Sequence, residues 1–586
     1  MMKKIVFITA LLVLTVQFAN AQRTRHKQKA KTTHTQRQHR KPNIKKKVVA
    51  QKAAPVKADT LIQTSLTDNL KEHSVTITSS FTPSLRDAAK INFNATMPPS
   101  DTAALQLSYN IPSQNFSFSY ETPNLHPLAL NVDSLIRWHN DNFVKLGFGN
   151  YTTPYAEAGI SLGDGVTNAI ALHVKHTSSK GSLPFQQFAK TGIDASGVFN
   201  PNNDFEVAAK VFFDVNSQYR YGFFPNTLQM GKDSLKARYT TFGGKIVLRN
   251  KTTNDLGIDY NPSFSVNTFS SNQSARESGL ALDAPFSKSL VKHFSLNVKL
   301  NEDYTSYTND LNNVSFGNNI FYLAPALEYK TQNIRATAGI TPSWDEGAYH
   351  TLPQFLVEAK INDEKFLLQA GWVGYYNKNT YRTLAEYNPW IENPTQLLNT
   401  RATEFYAGLK GSSGNYLSYS GKLSFIQYHN LPLFLNDVFT GRYFQTLYES
   451  AVKDTRIHGE IGYTVSRDFS VNGGITFNVY SGLNDNARAW GLPTTELNGT
   501  FRWIPMKNLI LKSDLFYWDG IHYLNPQQQD RIINPAVDWN AGAELSIKKN
   551  LSVWLQINNL LNNKYQRWNQ YTVLGANILG GIIYKF

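Results

Sequence analysis

Leu551-Ser552-Val553-Trp554-Leu555-Gln556-Ile557-Asn558 decides the fold. Leu551, Val553, Leu555 and Ile557 fall on one face of an extended chain. Ser552, Trp554, Gln556 and Asn558 fall on the other, because side chains alternate along a strand. Upstream, Phe469, Val471, Ile475, Phe477 and Val479 alternate in the same way with Ser470, Asn472, Thr476, Asn478 and Tyr480. Downstream, Ile578 to Phe586 reads as a closing strand with an aromatic as the final residue. A soluble sandwich has this alternation too. Here the polar faces carry large residues and no helical pattern is at hand to cover them. That favours a closed wall, lipid outside and water inside.

Working back from the C-terminus, strand, short turn, strand and long loop repeat to about Asn142. The fold class is all-β, a transmembrane antiparallel barrel of about 22 strands starting between residues 142 and 575. Strands are expected near 255, 291, 353 and 443, among others, and the one near 443 must run unbroken through Val465 to keep the count even. Tight polar turns such as Gly163-Asp164-Gly165, Asn200-Pro201-Asn202 and Ser413-Gly414-Asn415 follow even-numbered strands. Longer connections, such as Asn216 to Leu235 and Asn377 to Arg401, fall between them. Short turns at one end and long loops at the other are the habit of outer-membrane barrels. Both termini then lie on the short-turn, periplasmic side.

Composition agrees. Aromatics make up 13% of the 586 residues, enough for girdles at two interfaces, and a mean hydropathy of -0.36 excludes a bundle of apolar helices. There is no Cys, which removes disulfides, thiol chemistry and Cys-ligated zinc. Lys3 and Lys4, the apolar run Ile5 to Val16 and Ala19-Asn20-Ala21 have the parts of a signal peptide over residues 1–21, with cleavage between Ala21 and Gln22. The expected location is the outer membrane of a Gram-negative bacterium.

The net charge of +15 belongs to the N-terminus. Arg23 to Lys57 holds 13 Lys or Arg and no acid, and with Lys3 and Lys4 it accounts for the whole excess. A basic run of this kind suggests nucleic acid, but an exported tail meets none. Residues 22–57 are therefore expected to be a solvated periplasmic tail, or a handle docking to lipopolysaccharide, other anionic lipid or an acidic protein partner. Residues 58–141 contain no Gly, are rich in Pro, Ser, Asn and Thr, and read as an extended segment that packs against or inside the barrel of residues 142–586.

Ile557-Asn558-Asn559-Leu560-Leu561-Asn562-Asn563-Lys564-Tyr565, followed by Gly575 and the strand Gly580 to Phe586, resembles the end of TonB-dependent outer-membrane receptors. The run Phe81 to Ile91 resembles a segment preceding plugless receptor-like barrels of Bacteroidota. The resemblance implies an outer-membrane channel for uptake or export, with Tyr584 and Phe586 as the C-terminal signal read by the barrel assembly machinery. It departs from the family in one respect: residues 58–141 are too short and too poor in glycine for the usual plug.

No Walker loop, GxSxG, HExxH or paired-Cys motif is present. The pairs His458/Glu460 and His173/His176 are read as wall or loop polar groups, and no catalytic site, metal or cofactor is assigned. His26, His34 and His39 in the tail have no scaffold to hold a metal. Two functions fit: a receptor-like channel gated by residues 58–141, or a non-transporting barrel that scaffolds an outer-membrane protein assembly. A simple porin would need a charged constriction, which the sequence does not locate. Two loop clusters, Tyr219/Tyr221/Phe223/Phe224 and Tyr381/Tyr387/Trp390, are expected to pack as a lid in preference to binding sugar.

Overall fold

A computed structural model of the chain describes residues 142–586, except 166, 203, 224–228, 253, 363–364, 415 and 466–467. The expected signal sequence with Ala21 and Gln22, the basic stretch 22–57 and the segment 58–141 lie outside the described residues. The rest is a closed antiparallel barrel of 22 strands. Closure is made by the first strand, Phe143–Gly149, against the last, Asn577–Lys585, through a register running from Phe143↔Lys585 to Gly149↔Leu579. Glycine makes that seam possible. A Cβ on Gly581 would collide with the Leu146 carbonyl, and one on Gly147 with the Trp554 ring.

Period-two alternation survives round the wall. Leu555, Val479, Phe477 and Ile582 face outward and are exposed, whereas Ser552 and Trp554 face inward and are buried. Inward carboxylates are matched by cations on nearby strands. Examples are Glu206–Arg249 at 2.9 Å, Glu328–Arg335 at 3.0 Å and Glu404–Lys422 at 2.7 Å. Each carboxylate has exchanged water for a cation, which limits the desolvation cost of a charged wall. Outside, aromatic pairs such as Phe294/Tyr329 near the short-turn end and Trp344/Tyr349 near the long-loop end, with centroids 5.0 Å and 5.3 Å apart, mark two girdles.

The structure corrects the strand map in four places. The expected strand from 443 to 465 is two objects. Phe444–Glu449 pairs with Leu431–Asn436 as a hairpin outside the barrel sheet, and the barrel strand is Val452–Val465. The even count therefore stands for a different reason from the one expected. The turn between the strands Ala275–Val291 and Phe294–Asn309 is only two residues, with His293 at φ 72°, and lacks the Gly, Asn or Pro that would mark it. The strand expected near 255 is the pair Ile258–Tyr260 and Ser263–Ser271, broken at Asn261-Pro262, where proline cannot donate to the ladder. The strand expected near 353 begins at Ala348.

Candidate functional site: a cap across the barrel mouth

The largest apolar cluster is not in the wall. It sits at the long-loop end and is built mostly from connections. The 378–399 connection supplies Tyr381, Leu384, Trp390 and Ile391. The hairpin supplies Phe434 and Phe444, and the last connection, residues 559–576, supplies Trp568 and Tyr571.

The 378–399 connection has its own local order. Its single helix, Tyr381–Tyr387, opens with a reciprocal cap between Thr380 and Thr383. At the same end, Glu277 on the wall accepts hydrogen bonds from the backbone N–H of Tyr381 and Arg382. A carboxylate there satisfies donors that a helix start leaves open and faces the positive end of its dipole. Lys378 secures the root by donating to the Asp303 carbonyl at 2.9 Å, and Asn379 donates to Thr400 Oγ1 at 2.8 Å. The Tyr381 ring is met edge-on by Tyr239, Phe269 and Tyr307, at 6.1, 5.1 and 5.7 Å between centroids.

Beyond the helix, the chain reaches across to the far wall. Pro389 O accepts from Gln218 Nε2 and from Tyr239 OH, both at 3.0 Å. Trp390 Nε1 donates to Tyr219 O at 3.1 Å, and Arg220 donates to Ile391 O at 3.2 Å. The hairpin then fastens on through backbone as well as through its rings: Phe444 N–H donates to Trp390 O at 3.0 Å, and Glu392 N–H to Phe444 O at 2.8 Å, while Phe434 meets Tyr387 at 5.0 Å.

Three rings close the arrangement. Trp390 stacks on Tyr571 at 3.9 Å, and Tyr221 meets Trp390 at 6.1 Å and Tyr571 at 5.0 Å, both edge-on. They come from connections leaving the wall after the fifth, thirteenth and twenty-first strands. Round a ring of 22 these departure points are eight, eight and six strands apart. Tyr221 stands only two residues past the end of the fifth strand, and Trp390 bonds to Tyr219 O at that strand's end, so the rings meet on that side of the mouth. The connections from the thirteenth and twenty-first strands therefore span the mouth to reach it.

Charged groups tie the outer connections together. Arg567 donates to Gly491 O at 3.0 Å and to Tyr387 OH at 2.8 Å, and its guanidinium lies 4.4 Å from the centre of the Trp568 ring. Glu449, fully buried, accepts from the backbone N–H groups of Asn484, Asp485 and Asn486 at 2.6, 3.0 and 2.9 Å. Asp530 accepts from Arg488 Nε and His522 Nδ1, both at 2.7 Å. Burial pushes the Asp530 carboxyl up, but these two donors outweigh it and hold it below its ordinary value.

Sequence reasoning found part of this. Tyr219, Tyr221, Tyr381, Tyr387 and Trp390 all lie in or against the cap, as a lid requires; Phe224 is outside the described residues. It missed Tyr571, Trp568, Arg567 and the hairpin. The crowding of Arg567, Trp568 and Tyr571 just before the final strand was the available signal. The histidines are wall groups. His458 sits 3.2 Å from Glu460 and 2.8 Å from Thr476, and His173 lies between Glu157 at 2.9 Å and Asp194 at 3.3 Å. His176 has the opposite parity and pairs with Thr191. Among the described residues no group of three or more His, Asp or Glu side chains is placed to hold a metal ion.

No protein-family model matches the chain, and no curated protein matches it in sequence. Solved structures do match in shape. The FrpB iron transporter of Neisseria meningitidis aligns at a TM-score of 0.60 and 12% identity, over 78% of this chain and 83% of that one. The siderophore receptor PirA of Pseudomonas aeruginosa aligns at 0.53 and 12%, over 76% and 79%. The siderophore receptor PiuA of Acinetobacter baumannii aligns at 0.56 and 11%, over 77% and 82%. At these identities the likeness speaks for the barrel and for nothing finer.

Proposed function

We propose, from a 22-strand barrel with the architecture of TonB-dependent receptors, that this chain is an outer-membrane receptor-like channel closed at its long-loop end by the aromatic cap. Both termini face the periplasm in this reading. Residues 58–141 gate the lumen from that side in place of a globular plug, and a solute of unknown identity passes in or out when both closures yield. The protein is not an enzyme. The observation that carries the reading is the three-ring contact of Tyr221, Trp390 and Tyr571 by the end of the fifth strand, which two of the three connections must cross the mouth to make. It joins loops, which can part, and leaves the ladder of the wall intact. A lumen this wide needs such closure, since barrels of this size leave an open bore unless something fills it.

The remaining roles follow. Tyr584 on the terminal strand and Phe586 just past it, both exposed and stacked at 6.2 Å, serve as the signal for the assembly machinery. Cleavage after Ala21 frees the basic tail, which binds anionic lipid or an acidic periplasmic partner.

Planar-bilayer conductance tests the gating. The full chain is expected to be silent, and so is a variant lacking 58–141, because the cap still closes the other end. A variant lacking both 58–141 and 380–397 is expected to conduct strongly. Silence in that doubly deleted, heat-modifiable barrel refutes the channel. Silence together with stably co-purifying outer-membrane proteins supports the alternative, a scaffold for an outer-membrane assembly, which the core-like burial of Glu449 and Arg567 in the cap favours.

A further inference from the structure

The wall is not of even height. The strands beside the seam, Leu551–Asn558, Asn577–Lys585 and Phe143–Gly149, have 8, 9 and 7 residues. Nearly opposite, Ala275–Val291, Phe294–Asn309 and Val314–Lys330 have 17, 16 and 17. A strand tilted about 45° needs roughly 9–11 residues to cross a bilayer. At about 2.4 Å of height per residue, the first strand rises only ~17 Å, against an apolar band of ~25 Å on such barrels.

Side chains set the same limit independently. On the lipid-facing parity of the first strand, only Val144, Leu146 and Phe148 stand between Asn142 and Asn150. Asn150 is exposed and Asn142 half-buried, so drawing either into hydrocarbon strips water from the amide that anchors each end of the strand. Asn150 Oδ1 accepts from Ile578 N–H at 2.9 Å and from Asn577 Nδ2 at 2.8 Å. At the other end, Asn142 Oδ1 accepts from Ser161 N–H at 2.8 Å and Asn142 O from Phe586 N–H at 3.0 Å. The aromatic belts converge there too. Tyr584 is level with Val144, four residues below Phe148, with Phe586 stacked beneath it; on the tall flank Phe294 and Tyr304 are ten residues apart along one strand, and Glu302 is the one acid on that face between them. Those separations are roughly 10 Å and 24 Å of height.

We propose that the surface formed by the last two strands and the first is a docking face for thinned bilayer, so that the membrane beside the seam is several ångströms thinner than on the opposite flank. The proposal rests on the outer-membrane reading. Of the ways a short wall meets a thicker membrane, thinning fits best here. Its lipid-facing residues carry no long cationic side chain between the two asparagines to reach for the headgroups, and aromatic rings pin both edges.

The absence of cysteine makes the test clean. The full chain carrying Phe148→Cys, and separately Leu300→Cys at mid-band on the tall flank, is reconstituted in phosphatidylcholine vesicles of C12 or C18 chains. A membrane-impermeant maleimide then reports exposure. The thiol at position 148 is expected to react at least about tenfold faster than that at 300 in C18 vesicles, and to change less than about threefold between lipids, because the bilayer yields to the wall. Ile582→Cys, lower on the same flank, reports whether Phe148→Cys has disturbed the edge and should stay protected. Equal protection at 148 and 300 in C18 vesicles overturns the proposal. So does protection at 148 accompanied by a cross-linked dimer, which would mean a second copy covers the face. Failure of the chain to insert and become heat-modifiable would refute the membrane reading itself and is separately visible.

Discussion

Trp390→Ala should unlock the cap and leave the wall standing. Trp390 is almost wholly buried, stacks on Tyr571, meets Tyr221 edge-on and donates to Tyr219 O. Truncating a buried Trp costs about 3–5 kcal/mol. Its ring contacts with Tyr221 and Tyr571 lie between connections, and its indole N–H reaches a strand end at Tyr219 O. If the cap opens as a unit, its amides should exchange faster by about 10²- to a few times 10³-fold, since each 1.4 kcal/mol is tenfold. Hydrogen exchange with mass spectrometry reads this at the Phe444 and Glu392 amides, whose bonds join the hairpin to the 378–399 connection. Amides of Leu551–Asn558 in the wall serve as the reference. Unchanged exchange in the cap would refute the three-ring contact as its keystone. Equal acceleration in the wall would refute the separation of cap from barrel.

Glu277→Ala removes the acceptor at the start of the cap helix and should cost about 1–3 kcal/mol locally, read as faster exchange confined to Tyr381 and Arg382; Glu277→Gln, which keeps one acceptor, should restore part of it. Glu449→Ala strands three backbone donors at 484–486 and should expose that connection to protease while heat-modifiability persists. Gly581→Ala drives a methyl into the Leu146 carbonyl and should abolish closure, seen as loss of heat-modifiable mobility in gels. Asp530 supplies a pH dependence of known sign. A carboxyl held below its ordinary value lends stability that is present above the unfolded value and lost as pH falls through the folded one. Protease cutting of residues 520–535 should therefore be flat from pH 8 to 5 and rise only below about pH 4.

The wall was legible because its rule is local. Period two, read on Leu551 to Asn558 or Phe469 to Tyr480, depends on no distant partner, and Asp164 or Asn254 in a turn announces itself by bonding its own neighbours' N–H groups. The misreadings share a cause. Phe444-Gln445-Thr446-Leu447-Tyr448-Glu449 alternates like a wall strand, and only its pairing with Leu431–Asn436 removes it from the barrel. Lys292-His293 turns the chain without any turn-forming residue, because the long ladders on both sides force it. The cap was half legible. Tyr221, Tyr381 and Trp390 stood out as aromatics in loops, but that they meet Tyr571, far along the chain, depends on closure placing their roots a third of a turn apart. Glu277 and Glu449 looked like any strand-end carboxylates, since the N–H groups they serve lie 104 and about 36 residues away.

Electron cryomicroscopy of the full chain in lipid nanodiscs looks at the mouth directly. The account predicts 22 strands in a sealed ring, with two connections crossing its mouth and unbroken side-chain density joining Tyr221, Trp390 and Tyr571 by the end of the fifth strand. A bore open at the long-loop end, with those three connections splayed back against the rim, would contradict it.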